Sequence, residues 1–199
     1  REYRPSYRVI ANKYVSFLRL FTEIDKLYNK ESVIVAIEGG SASGKTTLGK
    51  ILEEIYGCTV FRMDDFFLRP EQRTPERYAE VGGNVDRERF LEEVLLPLSE
   101  GKNISYRRFD CSEMKLQTPI EIKPEKLTVI EGAYSMHPDF EKLYDFKLMQ
   151  DSGSIKGFSV KGEEAEKISN ALEKLIENAD FIISKGQGNF ETLYGCNLN

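Results

Sequence analysis

The octet Gly39-Gly40-Ser41-Ala42-Ser43-Gly44-Lys45-Thr46 satisfies every fixed position of the phosphate-binding pattern G-x-x-x-x-G-K-[ST]. The pattern works only as a turn between a buried strand and a helix, and both flanks comply. Val33-Ile34-Val35-Ala36-Ile37 is apolar and β-branched, as a parallel strand covered on both faces requires, and Thr46 to Tyr56 reads as a helix. Gly39, Gly40 and Gly44 allow φ > 0, so successive N–H groups can turn inward around an anion-sized hollow. The helix N-terminus adds its partial positive charge. In such a loop Lys45 reaches the β- and γ-phosphates and the Thr46 hydroxyl takes a place on the bridging Mg²⁺, with Ser41, Ala42, Ser43 and Thr47 completing the phosphate-facing set. The expected ligand is ATP or GTP with Mg²⁺. A plain Gly/Ser-rich turn is the alternative, and it leaves the agreement of all the fixed positions and both flanks unexplained.

A chain of 199 residues with 40% hydrophobic content suits one α/β domain. A net charge of -5 argues against broad nucleic-acid or acidic-membrane surfaces. Cys58, Cys111 and Cys196 are far apart and show no C-x-x-C spacing, which points to a reducing compartment. No apolar run approaches the ~20 residues of a membrane span, and no signal-peptide pattern opens the sequence. The expectation is a cytoplasmic protein with neither membrane nor nucleic acid among its partners; the oligomeric state stays open, homo-oligomers included.

Other stretches place chemistry near the loop. From Ser6 to Tyr28 apolar residues recur at helical spacing and predict one amphipathic helix packed on the core. Thr59 to Met63 is a second strand that delivers Asp64 and Asp65 to its C-terminal end, where α/β ligands collect. Phe66 to Asn84 is rich in breakers and arginines and reads as an irregular surface loop. Asp86 caps a helix carrying Phe90, Leu91, Val94, Leu95 and Leu98, expected to bend or end near Pro97 and to stop at Gly101. Ile104 to Phe109 and Pro119 to Lys123 suggest an antiparallel hairpin beside the main sheet, with Tyr106, Arg107, Arg108 and Asp110 on or near it. Leu127 to Ile130 is another buried strand and ends in Glu131, an acid placed to hold Mg²⁺ directly or through water. His137, the single histidine, precedes Pro138 in a loop.

With the phosphate loop, Met63-Asp64-Asp65-Phe66-Phe67, Tyr106-Arg107-Arg108-Phe109-Asp110 and Val129-Ile130-Glu131-Gly132-Ala133-Tyr134 in view, the chain resembles the uridine kinase-like family of small-molecule kinases from about residue 33 to about 148. The resemblance implies a P-loop NTPase-like α/β/α fold, a mostly parallel sheet of about five strands with helices on both faces and a small antiparallel hairpin. It implies that Asp64 is the general base for the acceptor hydroxyl and lies at the metal with Thr46 and Glu131. It implies that the segment 104–123 holds the acceptor through Tyr106, Arg107 and Asp110, and Asp65, Phe67, Arg69 and His137 join that expected set. The implied reaction is ATP-dependent phosphorylation of a hydroxyl on a small molecule, a nucleoside. As domain plan we expect one domain over 1–199, with an N-terminal helix (1–30), a kinase core (31–148) and an atypical C-terminal segment (149–199).

That family continues with an arginine-bearing lid, whereas the last arginine of this chain is Arg108. Loss of a positioned arginine is worth ~10³ to 10⁵ in rate in well-studied phosphoryl transfer, so a nucleotide-binding module with little turnover is the first rival, unless Arg69, Arg73 or Arg77 swings in from the loop after Asp65. Instead of a lid, a helix with Ala165, Ile168, Leu172, Leu175 and Ala179 on one face leads to a strand, Phe181-Ile182-Ile183, and then Lys185-Gly186-Gln187-Gly188-Asn189. This segment is similar to a motif of the metal-dependent damage-control phosphatases, without their upstream Asp-Asn metal site; a phosphatase-like activity is the second rival.

Overall fold

The computed structural model of the chain describes residues 11–151 and 154–160. The expected C-terminal helix, the strand Phe181-Ile182-Ile183 and the Lys185 motif lie outside the described residues. Near the start, α1 (Asn12–Val15) and α2 (Leu18–Leu27) stand where one amphipathic helix was expected, parted at Phe17 (φ -110°, ψ 1°). Phe17 is itself buried, and α2 turns Leu20, Ile24 and Leu27 into the same cluster. The break thus lets two helical pieces cover one core.

The sheet has five strands: β1 (Val33–Glu38), β2 (Thr59–Arg62), β7 (Leu127–Glu131), β8 (Phe146–Asp151) and β9 (Ser154–Val160), in the order β2-β7-β1-β8-β9. β1 lies parallel to both β7 and β8, β2 is parallel to β7, and β9 is antiparallel to β8. Because side chains alternate across a strand, Val33, Val35 and Ile37 enter one cluster with α2 and with Leu48, Ile51 and Leu52 of α3 (Lys45–Tyr56). Ile34 and Ala36 enter the other, against Phe61, Ile130, Phe90, Val94, Leu95 and Tyr106. Helices therefore cover both faces, the three-layer α/β/α arrangement the motifs imply.

On the second face, a short α4 (Pro75–Tyr78) sits within the arginine-rich loop. Then α5 (Arg87–Phe90), a π turn (Leu91–Leu95) and α6 (Leu96–Ser99) follow one another without a gap. Asp86 caps α5 as expected, its carboxylate accepting the Arg89 N–H at 3.3 Å. The helix runs through Pro97: proline offers no N–H to the ladder, and the wider turn falls just before it. The expected hairpin is two short antiparallel ladders, β3 (Ile104–Tyr106) with β6 (Ile120–Ile122) and β4 (Phe109–Asp110) with β5 (Lys115–Leu116). Among the described residues no helix is long and apolar enough to cross a membrane.

β9 was not foreseen. Helices were expected between successive strands, whereas an antiparallel edge strand needs only a tight turn.

Gly132, just past β7, has φ +146°, and a Cβ there would lie 2.6 Å from the Met63 Cβ. Its N–H donates to the Ile37 carbonyl at 3.1 Å, tying the ends of β7 and β1 together. Gly132→Ala combines backbone strain with a clash against a buried side chain, and we expect it to cost about 2 kcal/mol or more, read as a lower denaturant midpoint at unchanged slope. An unaltered midpoint would show that the turn relaxes.

Candidate functional site

The phosphate loop leaves β1 and enters α3 through Gly44 at φ 94°, with Ala42 also left-handed at φ 61°. Gly39 cannot carry a side chain: a Cβ would lie 2.1 Å from the Gln150 carbonyl oxygen of β8 and 2.7 Å from the Ser43 Oγ. The loop is thus pressed onto the C-terminal end of the sheet. Lys45 Nζ donates to the carbonyl oxygens of Gly39 (2.7 Å) and Gly40 (2.8 Å) and lies 3.4 Å from the Ser43 Oγ. Burial draws the Lys45 pKa down, and the carboxylates of Glu131, Asp64 and Glu38 act against it.

Thr46 Oγ1 donates to Glu131 Oε1 at 3.0 Å, joining the first turn of α3 to the end of β7. Burial raises the Glu131 pKa, while the Thr46 hydroxyl and the charges of Lys45 and Arg62 oppose it. Thr46, Glu131 and Asp64 are hard oxygen donors of the kind Mg²⁺ accepts. Among the described residues no group of three or more His, Cys, Asp or Glu could hold a metal unaided. Mg²⁺ is commonly held by one or two carboxylates together with substrate phosphates.

Sequence reasoning missed two neighbours of this end of the sheet. Arg62, the last residue of β2, brings Nε to 3.4 Å from Glu131 Oε1. Glu38, the last residue of β1, accepts the N–H groups of Tyr134 (3.0 Å) and Met136 (2.7 Å), and burial raises its pKa. An acid closing an otherwise apolar buried strand was the available signal for Glu38.

A 3₁₀ turn, Met63–Phe66, carries both aspartates. Asp64 is exposed, and its negative charge acts to raise the pKa values of Lys45 and Glu131. Asp65 is half-buried and paired with Arg108, Nε to Oδ2 3.2 Å; burial raises its pKa, and Arg108 and Arg62 resist the rise. Behind the turn Arg89 is 6% exposed. It reaches the Asp65 carbonyl (3.3 Å), Asp86 (3.2 Å), Glu93 (3.4 Å) and the Arg107 carbonyl, and its guanidinium lies 4.5 Å from the centre of the Phe66 ring. Arg89, Asp86, Glu93, Arg107 and Arg69 line a cavity of about 210 Å³.

The remaining expected acceptor residues divide. Tyr106 is buried, its ring stacked at 5.6 Å from Phe66, and its hydroxyl accepts from Arg108 at 3.4 Å. Arg107 is held by Glu93 at 2.8 Å. Arg69 bonds Gln72 at 3.1 Å and lies 3.6 Å from Asp86, and the backbone of Phe67 bridges to Val85. Asp110 instead closes the β4–β5 turn. The Ser112 hydroxyl (2.6 Å) and the N–H groups of Glu113 (3.1 Å) and Ser112 (2.8 Å) bond one of its oxygens and hold its pKa at about 2. His137 accepts the Asp139 N–H at 3.3 Å and packs 5.7 Å from Phe140. Burial lowers its pKa.

The other loop arginines are committed as well. Arg73 donates twice to the Leu68 carbonyl, at 3.0 and 2.9 Å. Arg77 holds Glu88 through two bonds of 2.7 Å and donates to the Val85 carbonyl at 2.9 Å.

No family model matches the chain. In sequence it is 25% identical over 134 residues to a curated protein named uridine kinase from Ligilactobacillus salivarius (strain UCC118), a match covering 62% of this chain and 63% of that protein. The chain therefore spans less than two thirds of that relative's length. In fold it is similar to a structure described as a possible uridine kinase from Bacillus stearothermophilus, with a TM-score of 0.54 and 20% identity over 84% of this chain and 100% of the other. The phosphate loop, its strand and helix flanks and the five-stranded sheet around them form a uridine kinase-like P-loop α/β segment.

Proposed function

We propose that the chain binds ATP with Mg²⁺ and transfers its γ-phosphoryl group to a hydroxyl of a small molecule, a nucleoside. The observation that carries the reading is the meeting of Lys45, Thr46 and Glu131 at one end of the loop, with Thr46 already on Glu131 at 3.0 Å. Lys45, which holds loop carbonyls here, would turn to the phosphates, and Thr46 and Glu131 would hold Mg²⁺, whose chemistry there would be to offset phosphate charge. The acceptor oxygen bonds to the γ-phosphorus as the bond from that phosphorus to the β,γ-bridging oxygen breaks; the electron pair leaves on ADP, and the hydroxyl proton passes to Asp64. Tyr106, Arg107 and Arg69 lie on the acceptor side of the same turn, within the core taken as residues 31–148.

Lys45→Ala is expected to weaken ATP binding at least tenfold, since hydrogen bonds to charged groups contribute about 1.5–3 kcal/mol. Calorimetry giving equal affinity for both proteins would overturn the reading. Steady-state turnover with a panel of nucleosides tests the acceptor, with about 1–100 s⁻¹ expected of a working kinase. A second reading, a nucleotide-binding module with little turnover, is favoured by the engagement of Arg69, Arg73 and Arg77 in their own loop. ATP binding without turnover on any acceptor would select it.

A further inference from the structure

We propose that Arg62 is the cation that grips the transferring phosphoryl group, an inference that rests on the kinase reading above. Phosphoryl transfer spreads negative charge over the γ-phosphoryl oxygens, and its acceleration comes mainly from cations already in place. Among the described residues Lys45 is one such cation. Arg69, Arg73 and Arg77 hold their own loop, Arg108 pairs with Asp65 and the Tyr106 hydroxyl, and Arg89 is buried.

Arg62 differs in place and in attachment. It ends β2, two residues before Asp64. Its ion pair is Nε to Glu131 Oε1 at 3.4 Å, with the Arg62 side chain 45% exposed. That oxygen is the one Thr46 Oγ1 approaches to 3.0 Å, so the guanidinium stands beside the phosphate end of the loop. Its charge is also felt at Asp65, on the acceptor side. A single long contact at a half-exposed site holds a guanidinium weakly. Phosphate oxygens offer a better match, because the planar fork can take two of them at once. Arg62 thus rests on Glu131 in the free chain and turns to the γ-phosphoryl oxygens of bound ATP, on a flexible side chain and without backbone movement.

The test is calorimetry of ADP and of ATP, each with Mg²⁺, on the full chain and on Arg62→Ala, Arg62→Lys and Lys45→Ala, with turnover measured beside it. Arg62→Ala should leave ADP affinity within about twofold, weaken ATP about tenfold and slow transfer by about 10³-fold. Arg62→Lys should recover part of the ATP affinity and little of the rate, since a point charge cannot span two oxygens. Equal weakening of ADP and ATP by Arg62→Ala would mark Arg62 as a partner of Glu131 alone and overturn the proposal, as would no change in either. If the wild type binds neither nucleotide, or binding ignores Lys45→Ala, the kinase reading falls and this inference with it. If binding depends on Lys45 while the ratio of ATP to ADP affinity ignores Arg62, only the inference falls.

Discussion

With Asp64 as the proposed base, Asp64→Asn is expected to lower kcat by about 10² to 10⁴-fold, the range for removal of a positioned general base, while ATP affinity stays within about twofold. The asymmetry with its neighbour follows from what each carboxylate touches. Asp65 is half-buried against Arg108 at 3.2 Å, and the Arg89 guanidinium fixes its carbonyl. A proton taken there would have to displace an ion pair. Asp64 is exposed, and its charge acts on Lys45 and Glu131. Asparagine keeps the size of the side chain and loses the proton acceptor, so kcat falls and binding does not. Asp65→Asn should cost stability more than rate, because it leaves Arg108 without its acid. Steady-state kinetics of both variants with saturating ATP decides the matter. A larger kcat loss in Asp65→Asn would reverse the assignment.

Arg89→Ala destabilises the fold by about 3–5 kcal/mol, the usual result of removing one partner from a buried pair. Asp86 is 1% exposed and has Arg89 at 3.2 Å; its other cation, Arg69, is at 3.6 Å and reaches it from a more open position. The same guanidinium joins the carbonyls of Asp65 and Arg107 and the Glu93 carboxylate, so one truncation frees the aspartate turn, the helix start and the β3–β4 corner together. Arg89→Lys recovers little, because one ammonium cannot face these directions at once. Chemical denaturation with the midpoint and slope fitted separately measures the loss. A loss below about 1 kcal/mol, the usual worth of an exposed pair, would show that Asp86 is satisfied without Arg89.

Much of this was legible in the residues. The phosphate loop and its flanks announce themselves because backbone conformation, anion binding and strand burial all constrain the same octet. Asp86 as a cap and the two faces of β1 follow from local rules of side-chain placement. Arg89 and Arg62 were not legible: an arginine looks the same in sequence whether it points to solvent or reaches a distant partner, and only the folded chain brings Arg89 to the Asp65 and Arg107 carbonyls and Arg62 to Glu131. Asp110 shows the converse. Its neighbours in sequence suggest the acceptor site, yet Ser112 and Gln117, two and seven residues on, occupy its oxygens in a turn. The π turn before Pro97 was hidden for a similar reason, since it leaves no mark in hydrophobic periodicity.

The hairpin of β8 and β9 sets a question of reach. Met149 of β8 lies level with Glu38 at the loop end of the sheet, while β9 starts opposite Asp151 and runs back until Val160 stands opposite Phe146. Phe146 stands level with Val35, three residues before Glu38, so at ~3.3 Å per residue β9 ends about 10 Å back from the loop end of the sheet. A cation encoded after Val160 would need a return path of at least that length to meet a γ-phosphate, whereas Arg62 is one side chain away.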